Sequence, residues 1–185
     1  MPLLKPLNLY GKSKHLFDLW ALGQKEAPPF WHGLKFFNVY GHDESHKGHM
    51  ASVVYHAYNQ IKETGGVKLF KSHNADYGHG EQLRDFVFVN DLADVILWFM
   101  NHRKYSGIYN LGTGQAQSFN DLARAVFKAM GVPANINYID MPEAIRERYQ
   151  YYTKAEIGKL RGIGYDKPFA TLEHGVNEYV KILAK

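Results

Sequence analysis

The sequence predicts an α/β protein, because segments with helical periodicity alternate along the chain with short apolar runs that are typical of strands. Glycine or proline residues lie between several of these segments, where they end one element before the next begins. Alternation of this kind indicates that at least some of the strands pair in parallel. No stretch has the composition of a linker between independent domains.

The first part of the chain contains a predicted helix, a buried strand and a second helix. Residues 7–25 have helical periodicity, and the Pro-Pro pair that follows cannot continue the helix. Its apolar positions share one face: Leu9, Leu16, Phe17, Trp20 and Ala21. Residues 31–41, WHGLKFFNVYG, predict one buried strand that runs into a glycine turn. Residues 50–66 predict a helix that ends at a Gly-Gly pair.

The rest of the chain continues the alternation. Short strands are predicted for VKLF, RDFVFV, SGIYNLGTG and INYID. Helices are predicted for NDLADVILWFMNHR, SFNDLARAVFKAMG and TLEHGVNEYVKILAK. The first of these helices is expected to begin at a cap formed by Asn90 or Asp91. The second is expected to begin at Ser118 and to stop at Gly131.

Composition excludes several classes of protein. The 185 residues are 45% hydrophobic and 22% charged, which is ordinary for a globular protein. There is no cysteine, so disulfide and thiolate chemistry are excluded. No apolar run is long enough to span a membrane, and we expect a cytoplasmic protein. The net charge of +4 favours an anionic ligand such as a nucleotide sugar, whereas the scattered lysines and arginines argue against nucleic acid.

A tyrosine and a lysine lie one helical turn apart in the first predicted helix. Tyr10 and Lys14, at positions i and i+4, share a helix face. A free phenol has a pKa of about 10 and is a poor base at neutral pH. A neighbouring ammonium favours the phenolate and lowers that pKa. The pair therefore predicts either a catalytic base with its partner or a core tyrosine beside a lysine, and the spacing alone favours the latter.

A polar loop follows the predicted strand that ends at Asn38 and Val39. Loops at the carboxyl ends of strands hold ligand sites in open α/β sheets, and Lys47, beside flexible Gly48, is placed to reach into a cleft. A solvated loop is the alternative. The histidines of this region resemble metal ligands in their spacing, but without cysteine the pattern of a structural zinc site is missing and no metal is expected. These histidines are His42, His46, His49 and His56.

Two further motifs can be read in two ways. Arg84 begins a strand and has the planar fork that clamps phosphate, but it can equally pair with Asp85 or Asp91. The G-T-G of YNLGTG follows a strand and precedes a helix, as phosphate-cradling turns do. It lacks the third glycine of a dinucleotide fingerprint, so a tight turn is the better interpretation.

The order of four motifs carries a resemblance that none of them carries alone. YGKSK, FFNVYG, RDFVFVNDLAD and YNLGTG follow one another across nearly the whole chain. In this order the sequence resembles the extended short-chain dehydrogenase/reductase family of nucleotide-sugar enzymes. The segments HKGHMAS, RYQYYT and GYDKPF make it most similar to the members that act on an ADP-heptose.

The resemblance implies a fold. It implies the C-terminal portion of a Rossmann-like doubly wound sheet together with a smaller α/β substrate-binding domain, in a homo-oligomer. Residues 1–37, 86–114 and about 147–162 would belong to the NADP-binding domain. Residues 38–85, 115–146 and 163–185 would form the substrate-binding domain.

The resemblance also implies roles for individual residues. Tyr10 and Lys47 would be the two catalytic acid/base residues. Tyr10, Lys14 and Val39 would contact the NADP cofactor. The ADP-heptose substrate would be contacted by Asn38, His49, His56, Phe70, Arg84 and Tyr149.

The implied reaction explains why two bases are present. A hydride would leave C6 of the heptose for NADP, and the ketone would receive it back on its other face. The C6 hydroxyl then lies on opposite sides in the two epimers, so one group cannot serve both. Other epimerases or dehydratases of the family, and a non-catalytic binding or assembly module, remain alternatives.

The family begins with a strand, a glycine-rich nucleotide loop and a catalytic serine, and this sequence contains no such segment before Tyr10. We therefore expect the N-terminal nucleotide-binding half to be missing, and an apolar face of the first helix to be exposed. The chain would then be weakly active or inactive. We expect it to bind NADP weakly by calorimetry, and micromolar affinity would contradict this expectation.

Overall fold

A computed structural model describes Leu4, residues 6–147 and residues 149–185. Seven α-helices and eight strands are found among these residues, together with a 3₁₀ turn at Ser45–Met50. The helices are α1 (Leu9–Gly23), α2 (Val53–Thr64), α3 (Val89–Asn101), α4 (Phe119–Met130), α5 (Glu143–Arg146), α6 (Gly158–Gly162) and α7 (Leu172–Leu183). The strands are β1 (His32–Phe36), β2 (Asn38–Tyr40), β3 (Val67–Phe70), β4 (Leu83–Arg84), β5 (Phe86–Phe88), β6 (Gly107–Leu111), β7 (Gln117–Ser118) and β8 (Ile136–Ile139).

Parallel pairing dominates, which confirms the predicted α/β class. β1 pairs with β6, β2 with β5 and β3 with β8, all in parallel, and only the short pair of β4 with β7 is antiparallel. A helix lies in the chain between the two members of each parallel pair, as a parallel connection requires.

The single strand predicted over residues 31–41 is wrong, because the chain changes partner at Phe37. The Phe37 N–H donates to the Leu111 carbonyl (3.0 Å), whereas the Asn38 N–H donates to the Asp85 carbonyl (3.0 Å). β1 therefore continues along β6 and β2 along β5. RDFVFV is divided in the same way, since Arg84 ends β4, Phe86 begins β5 and Val89 already belongs to α3.

Two of the predicted helix caps are confirmed and one is wrong. Ser118 caps α4 in a capping box with Asp121, and Gly131 ends that helix in the left-handed conformation. The residue before α3 is Phe88, with no side-chain cap, so Asn90 and Asp91 lie inside the helix. Both side chains bind elsewhere: Asp91 accepts from the Ala170 N–H (3.0 Å) and Asn90 contacts His42.

The buried side chains form two apolar clusters. The first fills the space between β2, β3, β5 and helices α2, α4 and α7. The second lies between β5, β6, α3 and α6. β5 belongs to both, because Phe86 and Phe88 face the first cluster and Val87 faces the second.

α1 lies outside both clusters and exposes its apolar face, as expected. Leu9 is 84% exposed, and Leu16, Phe17 and Trp20 are each more than half exposed. The residue that α1 buries is Asp18, whose carboxylate forms an ion pair with Lys35 of β1. Within the described part of the chain, no helix is both long and apolar enough to cross a membrane.

Candidate active site

Residues from three separate elements meet around one cavity at the end of β2. The cavity has a volume of about 620 Å³, and α1 contributes Tyr10, β2 contributes Asn38 and Val39, and the 3₁₀ turn contributes Lys47. Both side chains expected to act as acid and base thus line the same space, although they lie 37 positions apart in the sequence. The carboxyl end of a parallel strand is where open α/β sheets bind ligands.

Tyr10 and Lys14 face the same side of α1. Asn8 caps the helix, since its side chain accepts from the Gly11 N–H at 2.7 Å, so Tyr10 lies in the first turn. Tyr10 is 73% exposed, which excludes the interpretation as a core tyrosine in this structure. The Lys14 ammonium lies 5.2 Å from the centre of the Tyr10 ring.

The surroundings of this pair fit the ribose end of a nicotinamide cofactor. Tyr10 and Lys14 line a second cavity, of about 420 Å³, together with Gly33, Lys35 and Phe36. Phenol and ammonium groups donate hydrogen bonds to hydroxyl groups such as those of a ribose. Tyr10 lines both cavities, so it lies between the region expected for cofactor and that expected for substrate.

The turn that carries Lys47 projects from the body of the protein. Ser45–Met50 contains no buried residue, and Gly48 bends it with φ of 53°. At its entrance, the His42 ring lies between the Asp43 carboxylate (2.7 Å) and the Asn90 side-chain oxygen (3.0 Å). The hydrogen bonds to Asp43 and Asn90 raise the pKa of His42. His42 thus ties the entrance of the turn to α3.

Arg84 is held away from both of its predicted acidic partners. Its guanidinium donates to the carbonyls of Leu83 (2.8 Å) and Gln150, and lies over the rings of Phe119 and Tyr149 at 5.8 and 5.3 Å. Burial lowers the pKa of Arg84. Of the two interpretations of Arg84, the structure therefore excludes pairing with Asp85 or Asp91.

Arg84 and Tyr149 share a third cavity with Tyr10. This cavity has a volume of about 610 Å³ and also receives residues of α5 and the chain before α1. Burial raises the pKa of Tyr149, and the Arg84 charge opposes that rise. Tyr149 also faces a smaller, mainly apolar cavity of about 270 Å³ that contains Phe70. Arg84, Tyr149 and Phe70 thus form a continuous wall along these two cavities. Arg148, the first residue of the RYQYYT segment, lies outside the described residues.

The structure places two predicted substrate contacts elsewhere. His49 is exposed on the 3₁₀ turn, and the half-buried ring of His56 contacts Tyr55 edge to face at 5.9 Å. Neither is among the residues that line the four cavities described above. Among the described residues, no group of three or more histidine or acidic side chains is arranged to hold a metal ion.

The G-T-G turn binds the side-chain carboxylate of Asp85, a residue of the same chain. Asp85 is fully buried, and its carboxylate accepts hydrogen bonds from the N–H groups of Thr113 (2.7 Å), Gly114 (2.9 Å) and Ala155 (3.0 Å), and from the Thr113 hydroxyl (2.8 Å). The interpretation of this motif as a turn is confirmed. Asp85 lies between Arg84 and β5, so it fixes the strand that presents Arg84.

The fold is of the α/β class found in NAD dependent epimerases and dehydratases. Residues 1–112 match the NAD dependent epimerase/dehydratase family. The chain belongs to this family.

Curated relatives give a finer comparison. The chain is 53% identical over 184 residues to the ADP-L-glycero-D-manno-heptose-6-epimerase of Fusobacterium nucleatum, and 49% identical over 178 residues to the enzyme of that name from Nitratidesulfovibrio vulgaris. Each alignment covers 96% of this chain and 55% of the relative. The chain thus spans about half the length of the curated relatives it matches.

Solved structures agree on the fold. The ADP-L-glycero-D-manno-heptose-6-epimerase of Helicobacter pylori superposes with a TM-score of 0.81 at 31% identity, covering 97% of this chain and 52% of that one. The UDP-N-acetylglucosamine 4-epimerase of Methanobrevibacter ruminantium superposes with a TM-score of 0.79 at 22% identity, covering all of this chain and 57% of that one. The predicted Rossmann-like class is confirmed.

Proposed function

We propose that this chain carries the acid/base pair and the substrate-binding wall of an NADP-dependent epimerase acting at C6 of ADP-glycero-manno-heptose. The observation that supports it most directly is the placement of Tyr10 and Lys47, from α1 and the 3₁₀ turn, around one cavity with Asn38. The names of the two curated relatives support the choice of sugar.

Two proton-transfer groups on different elements suit an inversion at carbon. In one epimer the C6 hydroxyl would point toward Tyr10, and in the other toward Lys47. Each residue would remove the hydroxyl proton in one direction and return it in the other. Asn38, at the start of β2, would hold the sugar between them.

The cofactor would lie along the face of α1 that carries Tyr10 and Lys14. Lys14 would donate to the nicotinamide ribose, and Val39, in the middle of β2, would pack against the nicotinamide ring. NADP, when bound, supplies the hydride acceptor and donor.

The nucleotide diphosphate would lie against the wall formed by Arg84, Tyr149 and Phe70. An arginine has five N–H donors, and the two carbonyl contacts of Arg84 leave others free to bind a phosphate oxygen. His49 and His56 would complete the site after a local movement, because neither lines the cavities in this structure.

The division into a cofactor-binding and a substrate-binding domain, a homo-oligomeric state and a cytoplasmic location belong to the same proposal. The second apolar cluster falls mainly in the segments assigned to cofactor binding. Tyr165 and Phe169 pack with it too, which suggests that the boundary near residue 162 should move toward the C-terminus.

A chimera tests the proposed function. The 184 matched residues of the Fusobacterium nucleatum enzyme are replaced by this chain, and conversion of each ADP-heptose epimer is followed by NMR with NADP supplied. We expect conversion of ADP-heptose and at least about tenfold less turnover of UDP-glucose, because the wall that this chain contributes would select the substrate. The unmodified relative is the control.

Two results would count against the proposal. A folded chimera that turns over UDP-glucose or a dehydratase substrate as well as ADP-heptose would favour another activity of the family. A folded chimera without turnover of any nucleotide sugar would favour a binding or assembly module.

A further inference from the structure

The turn that carries Lys47 is closed at its base by a buried carboxylate. Glu44 is only 4% exposed, although it directly precedes the exposed Ser45–Met50 turn. Its carboxylate accepts hydrogen bonds from the backbone N–H of Ser52 (2.7 Å) and from the Ser52 hydroxyl (2.5 Å). Two charge-assisted hydrogen bonds thus join the residue before the turn to Ser52, the second residue after it.

The same carboxylate is tied through Ser52 to α2, a helix of the first apolar cluster. Ser52 caps α2, and its hydroxyl oxygen accepts from the Tyr55 N–H at 3.2 Å, so Glu44 lies at the positive end of that helix. Burial and then the proximity of the Glu44 carboxylate raise the pKa of Tyr179 on α7. Glu44 is therefore anchored to rigid parts of the protein.

The turn contributes little that would fix its own orientation. Short-range backbone bonds shape it, and those at its two ends run from the Lys47 N–H to the Glu44 carbonyl (3.0 Å) and from the Ala51 N–H to the Gly48 carbonyl (3.1 Å). Gly48 lies between them with φ of 53°. Ordering an exposed segment costs conformational entropy, and contacts inside the segment do not fix its direction relative to the cavity.

We propose that Glu44 is a positioning residue that holds Lys47 over the cavity by clamping the turn to Ser52. This inference rests on the proposed role of Lys47. Glu44 lines the same cavity as Tyr10 and Lys47, but both of its carboxylate oxygens are engaged by Ser52. It therefore acts through the turn and not on the substrate.

Hydrogen exchange of the intact chain, followed by mass spectrometry, tests the clamp. In Glu44→Ala we expect the amides of residues 45–52 to exchange at least about tenfold faster, while those of β3 and α4 keep their rates. Glu44→Gln keeps one acceptor oxygen, so its acceleration should be smaller. Ser52→Thr keeps the hydroxyl and the amide and should behave as the unaltered protein. Glu63→Gln, an exposed change on α2, is the matched control.

Either of two results would overturn the proposal: unchanged exchange in residues 45–52, or equal acceleration in β3 and α4, which would reveal general destabilisation. If Glu44→Ala fails to fold, Glu44→Gln and Ser52→Ala decide by the same criteria. No substrate is involved, so an inactive chimera leaves this measurement valid. Conversely, if the chimera is active but exchange is unchanged in the Glu44 variants, the positioning role of Glu44 is rejected and the proposed epimerase function stands.

Discussion

Replacement of Asp85 by alanine is expected to lower the free energy of unfolding by about 3–5 kcal/mol, since a buried donor left without a partner costs about 1–3 kcal/mol. Three backbone N–H groups, from Thr113, Gly114 and Ala155, lose their acceptor together with the Thr113 hydroxyl. Ala155 is 1% exposed, so water cannot readily replace the carboxylate there. The loss is large beside a typical total stability of about 5–15 kcal/mol.

Asp85→Asn should fall between alanine and the unaltered protein. One carboxylate oxygen accepts from both groups of Thr113, and the other accepts from the N–H groups of Gly114 and Ala155. Asparagine keeps one acceptor oxygen but turns an NH₂ group toward the remaining donors. Some of the hydrogen bonds therefore survive and others become donor–donor contacts.

Urea unfolding and thermal melting measure these effects. For a chain of this length we expect Asp85→Ala to lower Tm by roughly 10 °C, at about 2–4 °C per kcal/mol. Asp140→Ala is the matched control, because that aspartate is largely exposed and pairs with Lys71 at 3.3 Å across the surface. Such a pair contributes about 0–1 kcal/mol. Equal losses of unfolding free energy in the two variants would show that the hydrogen bonds to Asp85 contribute no more than an exposed ion pair.

Local signals in the sequence predict the elements that depend on local interactions. The cap at Ser118 and the glycine stops after α2 and α4 depend on residues only a few positions apart. The change of partner at Phe37 is different, because it is set by Leu111 and Asp85, more than 40 residues away. Periodicity within one segment carries no information about which strand will pair with it.

The site shows the same limit. The residue pattern places Lys47 on a loop after a strand, but only the order of distant motifs links it to Tyr10. Nothing in the sequence around Glu44 and Asp85 distinguishes them from solvated carboxylates. Their hydrogen-bond partners Ser52, Thr113 and Ala155 come close to them only in the folded chain. The sequence leaves two interpretations of Arg84 open for a related reason: Asp85 is adjacent in sequence, but its carboxylate binds the backbone N–H groups of Thr113, Gly114 and Ala155.

Loss of either proton-transfer residue should have the largest effect on the proposed reaction. In the chimera, Tyr10→Phe and Lys47→Ala should each reduce kcat by about 100-fold or more, because a positioned acid or base contributes about 10²–10⁴. Since inversion requires both groups, neither residue can compensate for the other. KM should change much less, because each substitution removes an interaction that matters mainly in the transition state.

Because the side chain of Tyr10 and the turn that carries Lys47 are exposed, a loss of kcat in these variants can be separated from a loss of stability. Tyr10 is 73% exposed and Lys47 lies on an exposed turn, so each change should alter the free energy of unfolding by no more than about 0.5 kcal/mol. Lys12→Ala, an exposed change in the same helix, is the control and should leave kcat unaltered. Full activity in both Tyr10→Phe and Lys47→Ala would reject the two-base assignment. Loss in only one would show that a single group serves both faces of C6, and the shared cavity would then need another explanation.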